Sequence, residues 1–241
     1  MVIKSKDKSL FIKSLKENGV DSIYIPKSRS GGVGAEAVYA PVNAAPQGGQ
    51  SKKIELLLKL REEAVKCTLC HELASTRKNV VFGSGNAKAR LMFVGEAPGR
   101  DEDEQGLPFV GRAGQLLTKI IESAGLSREQ VFIANTLKCR PPKNRPPEPE
   151  EVANCGSFLT RQIQIINPEI ICALGTFASQ ALLKSTLPIS QLRGKFTLLN
   201  GIKIICTFHP AYLLRNPNEK RKVWEDMIKI KQELAKDNPK S

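Results

Sequence analysis

Residues 67–71 read Cys-Thr-Leu-Cys-His. A C-x-x-C pair can be half a zinc site, a dithiol redox pair or two corners of an iron–sulfur cluster; with the following His it also matches the attachment signature of a c-type haem. The haem reading needs a second axial ligand, and beyond His71 the chain offers only His209, Met1, Met92 and Met227. Four more cysteines complete the inventory. Cys172 and Cys206 lie inside apolar runs and read as small core residues. Cys139 lies in a Pro-rich loop and Cys155 about two turns into the helix that follows. With Cys67 and Cys70 they make four thiols, a full tetrahedral set for zinc or for a cubane cluster. A zinc ribbon pairs two C-x-x-C knuckles. Here fifteen residues separate Cys139 from Cys155, which suits a larger cluster better, although spacing alone leaves both open. His71 needs no ligand role in either case and reads as a surface or supporting residue at the end of the knuckle.

The charge balance points to a partner. The formal net charge is +13. Residues 1–52 hold 8 Lys+Arg against 4 Asp+Glu, and residues 53–241 hold 29 against 20. The folded part is itself basic, so nucleic acid is the first partner to consider, with a solubility surface as the plain alternative. Aromatic residues make up only 5%, too few for a broad single-strand stacking platform. A composition 41% hydrophobic and 25% charged fits a globular protein with a real core. No apolar run is long enough to span a bilayer. The N-terminal MVIKSKDKSLFIKSLKENG has no apolar stretch of signal-peptide type, so a cytoplasmic location is expected, where structural disulfides are rare.

The elements that must position these residues follow from periodicity. Residues 26–50 are rich in Gly, Pro, Ala and Ser and read as a flexible linker. Ahead of them residues 1–25 form an arm in which 8–18 could make a short amphipathic helix. IELLLKLREEAVKC, from residue 54, has helical spacing. Apolar strands are expected at 90–95, 131–136 and 169–175, each followed by a helical segment. Residues 196–208 form a hairpin through Asn200-Gly201, and KRKVWEDMIKIKQELAK closes the chain as an amphipathic helix. Apolar strands alternating with helices predict a three-layer α/β/α sandwich with a mostly parallel central sheet, here over residues 51–241. In such sheets ligands sit beyond the carboxyl ends of the strands. The segments there are GEAPGRDEDEQGLPFVG (95–111), NTLKCRPPKNRPP (135–147), LGTFAS (174–179) and HPAYLLRNP (209–217).

GEAPGRDED, GLPFVGRAGQLL, ANTLKCRPPKNRPP and HPAYLLRNP, in that order and with the four cysteines interleaved, resemble the family 4 uracil-DNA glycosylases over about residues 54–236. The resemblance implies a base-excision repair enzyme that flips uracil out of DNA and hydrolyses its glycosidic bond. It implies a structural 4Fe–4S cluster held by Cys67, Cys70, Cys139 and Cys155. By the same resemblance Asn135 reads the uracil edge with its amide, Phe109 stacks on the base and His209 donates to uracil O2 as charge builds there. Glu96 is expected near the sugar and the attacking water, with Glu102 as the second candidate for a catalytic carboxylate or for a block against the thymine methyl. Gly95 and Ala97, with Gly99, allow close backbone approach to the base. Leu213 or Leu214 would fill the gap left by the flipped nucleotide. Lys138, Arg140, Lys143, Asn144, Arg145 and Arg215 would contact the flanking DNA backbone.

The rival expectation is a DNA-binding iron–sulfur module without turnover, such as a redox sensor or a relative that traps the abasic sugar covalently. Such covalent relatives carry an extra basic loop ahead of the final His motif, and TLPISQLRGKFTLLNGIKIICTFH shows no such insertion. A monofunctional, monomeric glycosylase without lyase activity is therefore expected. Residues 7–11, Asp-Lys-Ser-Leu-Phe, resemble the short peptides that dock on bacterial sliding clamps but lack the leading Gln; an arm helix packing elsewhere is the favoured reading.

Overall fold

The computed structural model describes residues 48–236, with the backbone alone over 48–51. The expected arm (1–25), the clamp-like segment 7–11 and the linker up to residue 47 lie outside the described residues. Residues 48–50, expected as the end of the linker, instead begin the first helix, α1 (Gly48–Lys66). Leu57, Leu60 and Ala64 are buried on its inner face, three and seven residues apart, as helical packing requires.

The other elements follow in chain order. They are α2 (His71–Thr76), β1 (Ser84–Gly85), β2 (Leu91–Gly95), α3 (Arg100–Gln105), α4 (Arg112–Ser123) and β3 (Phe132–Asn135), then α5 (Pro149–Ile166), β4 (Ile170–Leu174), α6 (Gly175–Leu183) and α7 (Ile189–Leu192). The hairpin β5 (Phe196–Leu199) and β6 (Ile202–Thr207) precedes α8 (Pro210–Arg215) and α9 (Lys220–Lys236). The six strands form one sheet in the order β1-β3-β2-β4-β6-β5. The central four are parallel; β1 and β5 run antiparallel at the edges.

Strict alternation sends neighbouring strand residues to opposite faces. Met92, Val94, Ala134, Ile171, Ala173 and Ile204 join one core with α1 and α5. Leu91, Phe93, Ile133, Ile170, Cys172 and Ile205 join the other with α4 and α9. Both faces are covered, which is why these strands read as continuous apolar runs rather than alternating ones. The structure is thus the expected three-layer sandwich, and Cys172 and Cys206 are core residues. Four short helices were not expected from sequence: α2, α3 in the acidic run, α7, and α8, which HPAYLLR supplies. No described helix is long and apolar enough to cross a membrane.

Candidate functional site

Parallel pairing places the carboxyl ends of β2 and β3 side by side, with Gly95 opposite Asn135. The ladder continues past both strands. Thr136 donates from its N–H and its hydroxyl to the Gly95 carbonyl at 2.9 and 3.1 Å, and the Leu137 N–H donates to the Glu96 carbonyl at 3.0 Å. This fixes the backbone around Asn135, a residue 2% exposed. Its Oδ1 is buried without a hydrogen-bond partner, an arrangement that costs free energy unless a ligand supplies a donor. Position 95 must be glycine: a Cβ there would press on Asn135 Oδ1 and lie 2.6 Å from Phe109 Cζ.

Phe109 adopts a left-handed backbone, φ 53°, an uncommon conformation for a bulky residue. Three contacts hold it. Glu102 accepts the Val110 and Gly111 N–H groups on Oε1 at 2.9 and 3.0 Å and the Gly99 N–H on Oε2 at 3.1 Å. Arg128 donates to the Pro108 carbonyl at 2.9 Å. Gly114 at the start of α4 has no Cβ to collide with the Phe109 carbonyl. Glu102, expected as a second candidate for chemistry, is therefore the clamp of the Phe109 loop, because both its oxygens are taken by backbone donors.

The Phe109 ring centre lies 5.6 Å from that of His209, the planes inclined by 34°. His209 caps α8 and its Nδ1 accepts the Ala211 N–H at 3.1 Å. In a neutral imidazole that leaves the proton on Nε2, which becomes a donor of fixed direction. Burial, with the nearby positive charge of Arg215 adding to it, pushes the His209 pKa down to about 4. Glu96 follows directly on β2; burial raises its carboxyl above the usual range, and it has no ion-pair partner among the described residues. One end of the sheet thus gathers an unpaired amide oxygen, an aromatic face, a neutral N–H donor and a carboxylate. Such a set suits a planar heterocycle bearing an N–H beside carbonyl oxygens.

On the loop that continues from β3, Cys139 lines one cavity together with Cys67, Cys70, Cys155, Leu73, Arg77 and Asn154. Cys67 follows α1, Cys70 caps α2, Cys139 follows β3 and Cys155 lies in α5. Each of three sulfurs faces an N–H donor. Arg77 approaches Cys139 Sγ at 3.2 Å, the Lys138 backbone N–H Cys155 Sγ at 3.2 Å, and Asn154 Nδ2 Cys70 Sγ at 3.7 Å. Arg77 also donates to the carbonyls of Cys67 and Val65, joining the knuckle to the Pro-rich loop. Burial raises the thiols of Cys70, Cys139 and Cys155, the last to about 11, so a metal would displace protons on binding. Among the described residues no three His, Cys, Asp or Glu close on a single ion. Four thiols around one cavity, with donors aimed at three of the sulfurs, suit a metal centre held by thiolates. His71 is exposed and lies outside this lining.

The expected DNA contacts divide. Arg140, Lys143, Asn144 and Arg215 are at least partly accessible, and Arg140 donates to Asn144 Oδ1 at 2.7 Å. Lys138 does not belong with them. It is 1% exposed, and its ammonium donates to the Asn135 carbonyl at 2.8 Å and to Gln162 Oε1 at 2.7 Å. Arg145 is tied to Glu151 and Glu72, both at 2.6 Å, and braces the loop against α2 and α5 instead of reaching for phosphate. Leu213 is 1% exposed in the second core, whereas Leu214 is 38% exposed and Tyr212 beside it 37%. Of the two wedge candidates only Leu214 is available, because the turn of α8 points its neighbour inward. Sequence reasoning missed Arg77, Arg128 and Gln162. Only Gln162 carried a signal: it falls four residues after Phe158 and four before Ile166, a polar residue on the apolar stripe of α5.

Comparison with known proteins adds an independent line. The family model described as the uracil DNA glycosylase superfamily matches residues 82–228. A type-4 uracil-DNA glycosylase of Thermotoga maritima is 50% identical over 187 residues, covering 76% of this chain and 97% of that protein. Its counterpart from Saccharolobus solfataricus is 48% identical over 185 residues, covering 73% and 85%. That of Archaeoglobus fulgidus is 44% identical over 194 residues, covering 77% and 97%.

Proposed function

The chain belongs to the type-4 uracil-DNA glycosylases of the uracil DNA glycosylase superfamily, and from that premise we infer how its residues take uracil out of DNA. The reaction leaves an abasic site for base excision repair. The observation that carries the inference is the buried, unpartnered Oδ1 of Asn135 between Gly95 and Phe109.

Uracil enters as a flipped base. Its N3–H donates to Asn135 Oδ1, and Asn135 Nδ2 donates to O4. Cytosine presents an amino group and a bare N3 to the same amide, which leaves buried polar groups unpaired and excludes it. Phe109 stacks on the ring, a contact worth about 1–3 kcal/mol. As the N1–C1′ bond breaks, its electron pair passes to the base, and His209 Nε2–H donates to O2 where that charge gathers. Glu96 faces the sugar cation, orients the water that adds to C1′ and takes its proton. Glu102 keeps Phe109 in place throughout.

Cys67, Cys70, Cys139 and Cys155 would hold a 4Fe–4S cluster, which when bound supplies four coordinate bonds across α1, α2, the loop after β3 and α5. Arg140, Lys143, Asn144 and Arg215 grip flanking phosphates, and Leu214 fills the vacated stack. The chain acts as a hydrolase without lyase activity, in which water and not a lysine amine adds to C1′. One chain carries all the residues assigned to base recognition, so a monomer suffices, and a metal-binding set of thiols suits the reducing cytoplasm. A clamp-docking role for residues 7–11 would add recruitment to replicating DNA.

The test is release of free uracil from an end-labelled strand by cluster-loaded protein. The strand should stay intact until alkali cleaves it at the abasic site, over many turnovers. No release from either single- or double-stranded substrate overturns this reading.

A further inference from the structure

A buried lysine in this fold has no carboxylate partner among the described residues. Lys138 is almost wholly buried, and among those residues its ammonium meets two neutral oxygens, the Asn135 carbonyl at 2.8 Å and Gln162 Oε1 at 2.7 Å. Gln162 cannot turn away, because its Nε2 donates to the Phe82 carbonyl at 2.8 Å. Neutral acceptors satisfy the hydrogen bonds of an ammonium but not its charge, and a buried charge without a counter-charge is strongly unfavourable. No carboxylate pairs with Lys138 among the described residues; the cysteines beside it are Cys139, next in the chain, and Cys155, whose Sγ accepts its backbone N–H, and both become anionic only on binding metal.

The same residue touches both centres. Its N–H donates to Cys155 Sγ at 3.2 Å, its carbonyl accepts the Val81 N–H at 2.7 Å, and the next residue is Cys139. Its side chain then runs back to the carbonyl of Asn135, the residue whose amide reads the base.

We propose that Lys138 is a positioning residue that couples the four-cysteine centre to uracil recognition: the negative charge of the metal-bound thiolates holds its ammonium in the interior, and the ammonium pins the backbone of Asn135. This rests on the reading of Cys67, Cys70, Cys139 and Cys155 as cluster ligands. Loss of the metal then removes the counter-charge, and with it the fixed presentation of Asn135. The cluster therefore governs selectivity for uracil as well as stability.

Two variants test this. Lys138→Met keeps the backbone N–H on Cys155 and removes the charge. Gln162→Glu places a carboxylate beside the ammonium. The loss of a donor to Phe82 then acts equally with and without metal. Both are compared with wild type for iron and sulfide content, for Tm before and after chelation, and for affinity toward a strand carrying 2′-fluoro-2′-deoxyuridine, which resists cleavage, against the same strand with thymidine. Iron-loaded Lys138→Met should lose about tenfold or more of its preference for the uracil strand while its affinity for the thymidine strand stays. Gln162→Glu should lose less Tm on chelation than wild type. A folded, iron-loaded Lys138→Met with wild-type preference overturns the proposal. So does Gln162→Glu losing as much Tm as wild type on chelation, and that comparison decides the matter alone where Lys138→Met does not fold. Wild-type protein without metal at the four cysteines overturns the cluster reading and this proposal together; metal present with variants indistinguishable from wild type overturns this proposal alone.

Discussion

At the scale of single residues the site works by fixing protons. His209 receives the Ala211 N–H on Nδ1, so a neutral imidazole carries its proton on Nε2, the nitrogen proposed to meet uracil O2. Replacing His209 by Asn should lower kcat on a uracil strand about 10²–10³-fold, the usual effect of losing one such donor. Its pKa of about 4 lies below the ordinary histidine value of 6.5, so the unfolded chain takes up the proton first. The associated stability is complete above pH 6.5 and is lost as pH falls from there towards about 4. His209→Asn should flatten the dependence of Tm on pH across that window, and activity of the wild type should not fall through loss of neutral imidazole until pH approaches 4. Glu102 acts on backbone. Glu102→Ala leaves the N–H groups of Gly99, Val110 and Gly111 without their acceptor, which should cost at least about 2 kcal/mol in denaturant unfolding and raise KM as the Phe109 loop loosens.

At the scale of elements, what matters is which face a short helix turns to the core. Leu213 packs with Val223 and Met227 from α9, while Leu214 is exposed. Leu213→Ala should destabilise the fold by about 2–5 kcal/mol. Leu214→Ala should leave stability within about 0.5 kcal/mol yet reduce excision from duplex more than from single strands, because only a duplex needs its vacated stack filled. Chemical unfolding and paired excision rates separate the two effects. The long elements were legible in the sequence because their patterns are strong: β2, β3 and β4 are continuous apolar runs, and Asn200-Gly201 marks the β5–β6 turn. The short ones were not. In α3 the acidic run looks like loop, and only its capping contacts show that Glu102 faces inward. For α8 the sequence could not say which of two adjacent leucines faces solvent.

At the scale of the molecule, two centres share one loop. Asn135, Lys138 and Cys139 lie within five residues, so the segment proposed to read the base also carries one cysteine of the four-thiol cavity. Asn135, Phe109, His209 and Cys139 lie in motifs after strands, whereas Cys67, Cys70 and Cys155 were legible from the cysteine count and the family resemblance. The burial of Lys138 did not, since a lysine in a basic, Pro-rich loop resembles every other surface lysine until its neighbours Gln162 and Asn135 are placed in space. The same holds for Arg145, whose partners Glu72 and Glu151 are distant or hidden in the chain. The net charge of +13 therefore overstates the cations available to DNA. Binding to an uncleavable duplex should weaken with salt, and Arg140→Ala should reduce the slope of log K against log salt by about 1. Arg145→Ala should leave that slope unchanged and lower Tm instead.

The most direct test of the central claim is the base selectivity of Asn135→Asp, measured as release of uracil and of cytosine from otherwise identical strands. A carboxyl group kept protonated by burial can donate to cytosine N3 and accept from its amino group, the reverse of what uracil needs. Cytosine release should appear, and uracil release should fall by at least tenfold. Uracil release at the wild-type rate, with none of cytosine, would show that the Asn135 amide does not read the base.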